Sequence, residues 1–128
     1  MVRRALCWLP ALALMGAIAY SSHQSEWPSA VKGAPDWLLH GGVYAALAGA
    51  LHFGCAQRLR PAPGERRCVW SAVLMASLYG ASDEWHQGFI AGRDAAVGDW
   101  AADTVGAVLM AVLLTTASFA ASEGVWED

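Results

Sequence analysis

Four apolar stretches run along the chain, separated by short polar connections. The first extends from Ala5 to Tyr20 behind Arg3 and Arg4, and the second from Trp37 to about Ala56. The third begins near Cys68, and the fourth runs from about Asp99 to Ala120. A bilayer core takes about 20 apolar residues as helix. The pattern therefore predicts helices over about 5–20, 37–56, 68–87 and 99–120. The first is short and interrupted by Pro10, which lipid-embedded helices tolerate better than soluble ones. The third is apolar only as far as Gly80 and spans a membrane only by continuing through Ser82 to Gln87. In the second, Gly41, Ala45 and Gly49 fall four apart, as do Gly42, Ala46 and Ala50, a spacing that lets neighbouring helices approach closely.

Composition points the same way. Apolar residues make up 56% of the 128 and charged ones 15%, with seven tryptophans, whereas a soluble domain carries about 25% charged residues. A net charge of −3 does not suggest a nucleic-acid partner. The expected fold is an all-α integral membrane protein: one domain over residues 1–128, a bundle of four transmembrane helices with a folded-back outer loop between helices three and four. With the N-terminus inside, Arg3, Arg4, Arg58, Arg60, Arg66 and Arg67 are cytoplasmic, and Lys32 and Arg93 lie outside. The reading is thus a multi-pass protein of the bacterial cytoplasmic (inner) membrane with both termini cytoplasmic. Cys7, Cys55 and Cys68 then sit at or near the reducing side, where no disulfide is expected. The first segment, ending in Ala17-Ile18-Ala19, also has the form of a cleavable signal peptide.

This topology gathers the polar residues at the outer face. Ser21 to Glu26, Asp36, His40, the cluster Asp83-Glu84-Trp85-His86-Gln87, Arg93, Asp94, Asp99 and Asp103 all fall there. A helix rising about 1.5 Å per residue from Cys68 carries Asp83 roughly 22 Å into a core about 30 Å thick. At about 100° per residue, Asp83, Glu84, His86 and Gln87 share one side and Trp85 points the other way. Buried acids need partners, and Arg93, His86 and His40 are the available cations. The expectation is a partly buried, outward-open polar pocket lined by helices two, three and four. Gly88 to Gly98 folds back over it, with Phe89 and Ile90 near lipid depth, and Gly92 turns the backbone so that Arg93 points inward. Plainer readings stand beside these. Glu84 and Arg93 form a structural ion pair, Asp99 caps helix four, His40 bonds a carbonyl and His52 is structural. Trp8, Trp27, Trp37, Trp85, Trp100 and Trp126 are interfacial belt residues.

These residues resemble the pattern of VanZ-like membrane proteins, a family named for a glycopeptide-resistance accessory protein. Ser21-Ser22 match paired serines after the first helix, and Asp36, His40 and Tyr44 match a motif opening the second. Tyr79, Gly80, Ser82, Asp83, Glu84, His86, Gln87, Phe89, Gly92 and Arg93 match the longest motif, and Asp99 and Gly106 the last. Trp37 stands where the family has lysine, and Asp103 where it has asparagine, so this pocket is more acidic. The resemblance implies action on the cell envelope. The pocket residues it implies are Ser22, Asp36, His40, Tyr44, Tyr79, Asp83, Glu84, His86, Gln87, Arg93, Asp99 and Asp103.

Three functions follow. The first is a non-enzymatic protein that binds or organises envelope components and contributes to glycopeptide (teicoplanin) tolerance. Its partners would be membrane lipids and a cell-wall precursor or the glycopeptide at the outer face. The second is an intramembrane hydrolase or group transferase acting on an envelope lipid or precursor. There Glu84 is the general base, His86 the acid or orienting group, Asp83 a further candidate and Arg93 the stabiliser of developing negative charge. The third is ion-coupled transport through paired carboxylates. No cofactor is expected. A metal would use His40, Asp83, Glu84 and His86, but H-E-x-x-H spacing is absent and none is expected.

Overall fold

The computed structural model describes residues 5–24, 33–59 and 65–123. Arg3, Arg4, Glu26, Trp27, Lys32, Arg60 and Trp126 lie outside these residues, as does the acidic tail beyond Glu123. The described residues form four helices and no strand: α1 (Leu9–Ser22), α2 (Asp36–Leu59), α3 (Glu65–Gln87) and α4 (Val97–Glu123). Each overlaps a predicted stretch. α3 runs unbroken through Asp83 and Glu84 to Gln87, as the length argument required. Pro10 does not interrupt α1. It falls in the first turn, where a missing N–H costs nothing.

The helices run up, down, up, down, as four cross-packed pairs establish. The Trp8 ring before α1 lies against Gly54 near the end of α2, where an added Cβ would sit 2.8 Å from it. The top of α1 meets the top of α3 through Ser22 and Asp83. Gly41 and Gly49 of α2 face Ala102 and Met110 of α4. Cys55 and Cys68, in the facing ends of α2 and α3, are joined by a disulfide with Cα atoms 5.6 Å apart. That corrects the expectation of no disulfide, which used compartment alone. The antiparallel hairpin puts the two side chains face to face. Trp8 is corrected too, since it is half-buried on Gly54 rather than a plain belt residue.

The core is built mostly from small and branched residues, among them Leu47, Leu51, Val69, Ala72, Ala76, Ala107 and Ala111, around the ring of Tyr44. α2 and α4 pack most intimately, because Gly41 and Gly106 bring their backbones together. A Cβ on Gly106 would lie 2.8 Å from Gly41 Cα. Of the two small-residue stripes on α2, this one is used at Gly41 and Gly49. Gly42, in the second, faces open space. Asp36–Gln57 and Val97–Phe119 are long and apolar enough to cross a membrane. α1 is apolar but has 14 residues, about 21 Å of helix. α3 has 23 residues but is polar at both ends.

Overfilling a close helix crossing typically costs about 1–3 kcal/mol. Gly106→Ala should therefore lower the thermal midpoint of the purified protein clearly, while Gly42→Ala should leave it unchanged or raise it. Equal midpoints for the two variants would mean that the Gly41–Gly106 approach does not hold the bundle.

Candidate functional site

At the end where α1 and α3 finish and α2 and α4 begin, polar side chains replace the apolar core. Ser22, His40, Asp83, Glu84, Gln87 and Asp103 are all buried there. α3 places two acids side by side because Asp83, Glu84 and Gln87 span a 100° arc turned toward the bundle. His86 lies about 60° outside that arc and is exposed, its ring stacked on His23 at 5.8 Å. The expectation that His86 joins the pocket is thereby corrected. Trp85 is 71% exposed, as the wheel predicted, and meets Phe89 edge-on.

Each acid is satisfied from a different element. Asp83 Oδ2 accepts hydrogen bonds from Ser22 Oγ at 2.8 Å and Gln87 Nε2 at 3.1 Å. Glu84 Oε2 accepts the Ala96 N–H at 2.8 Å, just ahead of α4, where the helix N-terminus favours negative charge. Asp103 Oδ1 lies 3.0 Å from His40 Nδ1. Its Oδ2 has no partner, nor has the buried Tyr44 hydroxyl. On insertion scales an unpartnered acid at the centre of a membrane helix costs about 2.5–3.5 kcal/mol, so these contacts decide whether the cluster can be buried. His52 carries another unpartnered buried atom, Nε2, well away from this end.

The expected Glu84–Arg93 ion pair is not formed. Gly92 turns the chain with φ 83°, as predicted, but Arg93 then reaches α1. It donates to the carbonyls of Gln24 at 2.9 Å and Ser21 at 3.1 Å. The end of α1 offers carbonyls that lack helical partners, and a sequence reading has no view of that meeting. Three further expectations shift. Asp36 is exposed. Asp99 sits within the first turn of α4 rather than capping it. Tyr79 turns toward α1, donating its hydroxyl to Met15 O at 2.7 Å. Sequence reasoning missed the tie between Ser77, Thr104 and Trp100, whose indole N–H donates to Ser77 O at 3.1 Å. Only its i, i+4 spacing of Trp100 and Thr104 hinted at it.

Two spaces adjoin the cluster. One, of ≈ 30 Å³, is lined by Ser22, His40, Tyr44, Asp83, Gln87 and Arg93. It takes a water or two, since one water needs about 10–15 Å³. α1 lines it where α4 was expected. The other, of ≈ 230 Å³, is a groove between the end of α3 and the start of α4, walled by Trp85, Val97 and Trp100 with Glu84 at its edge.

Ser22→Ala should remove about 1–3 kcal/mol of stability by stripping a buried carboxylate of a donor. Ser82→Ala, at an exposed site, should stay within about 0.5 kcal/mol of the parent. Thermal unfolding of both variants checks this, and an unchanged Ser22→Ala would show that the α1–α3 bond is not made.

A model of the VanZ/LLP1 family matches residues 7–118, nearly the whole chain. No curated protein and no solved structure matches it.

Proposed function

The chain belongs to the VanZ/LLP1 family, and from that premise we propose a multi-pass membrane protein of the bacterial cell envelope. Its polar end holds an amphiphilic envelope component, a lipid or a lipid-linked wall precursor, and through this it contributes to glycopeptide (teicoplanin) tolerance. The observation that carries the reading is a reversed exposure pattern. Leu12, Leu74, Leu78, Leu109 and Leu113 are each at least half exposed on the outside of the bundle, while three carboxylates and a histidine are buried within. Lipid stabilises such an exterior and water does not. The arginines flanking the α2–α3 connection orient that connection to the cytoplasm and the acidic end outward. In that orientation the Cys55–Cys68 disulfide lies at the cytoplasmic end of the bundle.

The groove suits an amphiphile. Trp85, Val97 and Trp100 offer apolar walls at the lipid boundary, and the polar cluster begins at Glu84. The water-sized cavity is too small for a headgroup, so entry is from the side. A second reading, intramembrane hydrolysis or group transfer, draws support from the His40–Asp103 contact, an imidazole oriented by a carboxylate. The displacement of His86 removes the acid which that reading first assigned.

Two measurements test the proposal. His23→Cys should react with an impermeant thiol reagent in intact cells above the background of the parent chain. Reaction only after permeabilisation would reverse the orientation. Lipids retained by the purified protein, identified by mass spectrometry, should include a species lost on Val97→Trp, which fills the groove, and kept on Leu113→Trp. Identical lipid profiles for all three proteins would sink the groove as a binding site.

A further inference from the structure

We propose that His40, Glu84 and Asp103 form a site for one divalent metal ion of the zinc or manganese kind, where α2, α3 and α4 meet. Each offers a donor atom, these atoms lie within 4.8 Å of one another, and all three residues are buried. Ligands about 2.0–2.2 Å from a tetrahedrally bound ion stand about 3.3–3.6 Å apart, so side-chain shifts of about an ångström complete the closure.

An independent observation points to a guest at the same spot. Asp103 is 0% exposed, yet its Oδ2 has no partner. That oxygen is aimed across at α3, where a Cβ built on Gly80 would lie 2.7 Å from it. Glu84 stands one turn further along the same face of α3. The Tyr44 ring packs against the same position, 3.2 Å away, and its hydroxyl is also buried without a partner.

Charge supports a cation over water alone. Asp83, Glu84 and Asp103 are buried together, and among the described residues His40 is the basic side chain that pairs with one of them. One imidazole and two carboxylates suit zinc or manganese better than a soft, thiolate-seeking ion or calcium with its six to eight oxygens. The absence of H-E-x-x-H spacing argues against a metal in the sequence, where the candidate ligands are His40, Asp83, Glu84 and His86. The fold turns His86 outward and brings in Asp103 from α4.

Three protein donors leave a coordination position for an oxygen ligand. Glu84 borders the groove, so an anionic oxygen carried by an amphiphile is the ligand class this position would take. That last step rests on the proposed function, whereas the ion site does not.

The test is the metal content of the purified full-length chain, incubated with zinc or manganese and desalted, read by inductively coupled plasma mass spectrometry. We expect about one ion per chain, reduced at least tenfold by Asp103→Ala and by Glu84→Gln. Asp36→Asn, which touches the neighbouring Asp36–His40–Asp99 grouping at its exposed member, should retain the ion. A folded parent chain that keeps neither metal overturns the proposal, as does loss on Asp36→Asn with retention on Asp103→Ala. If the Asp103 and Glu84 variants fail to fold, the cobalt-loaded parent decides. A spectrum of nitrogen and oxygen ligation supports the site, and a thiolate charge-transfer band moves the ion to cysteine and overturns it. Groove occupancy is read separately by the retained lipids, so the two ideas fail independently.

Discussion

Burial of three carboxylates at one end of a narrow helical bundle is the constraint on which the other features depend. Each acid is reached from a different neighbour: Asp83 from α1, Glu84 from the start of α4 and Asp103 from α2. The polar end therefore ties all four helices, and two of the three ties join residues 61 and 63 apart in sequence. The opposite end is held differently, by apolar packing, the Trp8–Gly54 contact and the Cys55–Cys68 link. Disturbing one acid thus loosens one helix pair at a time and leaves the apolar half to hold the topology.

The glycines explain why the acids can meet at all. His40 adjoins Gly41, and Asp103 lies one turn before Gly106 on α4, so the glycine crossing also sets the register of the His40–Asp103 contact. Gly80 supplies the third element. A side chain there would occupy the space into which Asp103 and Tyr44 project. The same small residues that permit tight helix packing therefore leave room for a polar interior. Packing and chemistry are specified by one set of positions.

The helices were legible from their apolar runs, of which the second and fourth have spanning length, and the exposed Trp85 and the turn at Gly92 followed from helical geometry and glycine chemistry. The buried face of α3 was legible to within about one residue. A wheel fixes angles between side chains but not the direction of the core, so His86 was placed inside although it lies about 60° past the edge. Arg93 was assigned to Glu84 by charge alone, whereas the backbone carbonyls at the end of α1 offered it partners no pattern displays. The disulfide, the Trp8 packing and the Ser77–Thr104–Trp100 tie depend on which helices become neighbours. One sequence read alone does not contain that.

Where a ligand could enter follows from how the two spaces are walled. The cavity beside Asp83 is closed by α1 and by Arg93, which spans from the α3–α4 connection to the α1 carbonyls. A polar solute arriving from outside would meet this strap before reaching the acids. The groove beside Glu84 has no such cover, and its walls are tryptophan, valine and alanine. Apolar walls of that kind admit the tail of an amphiphile at little cost, while a soluble head alone gains nothing from them. Glu84 takes its short hydrogen bond, at 2.8 Å, from a backbone N–H, and only a longer one, at 3.5 Å, from the Gln87 side chain, so a ligand approaching it displaces little. The arrangement favours lateral entry along α3 and α4 over vertical entry through the polar end. It also makes Glu84, rather than the more deeply enclosed Asp103, the first acid that any such ligand would meet.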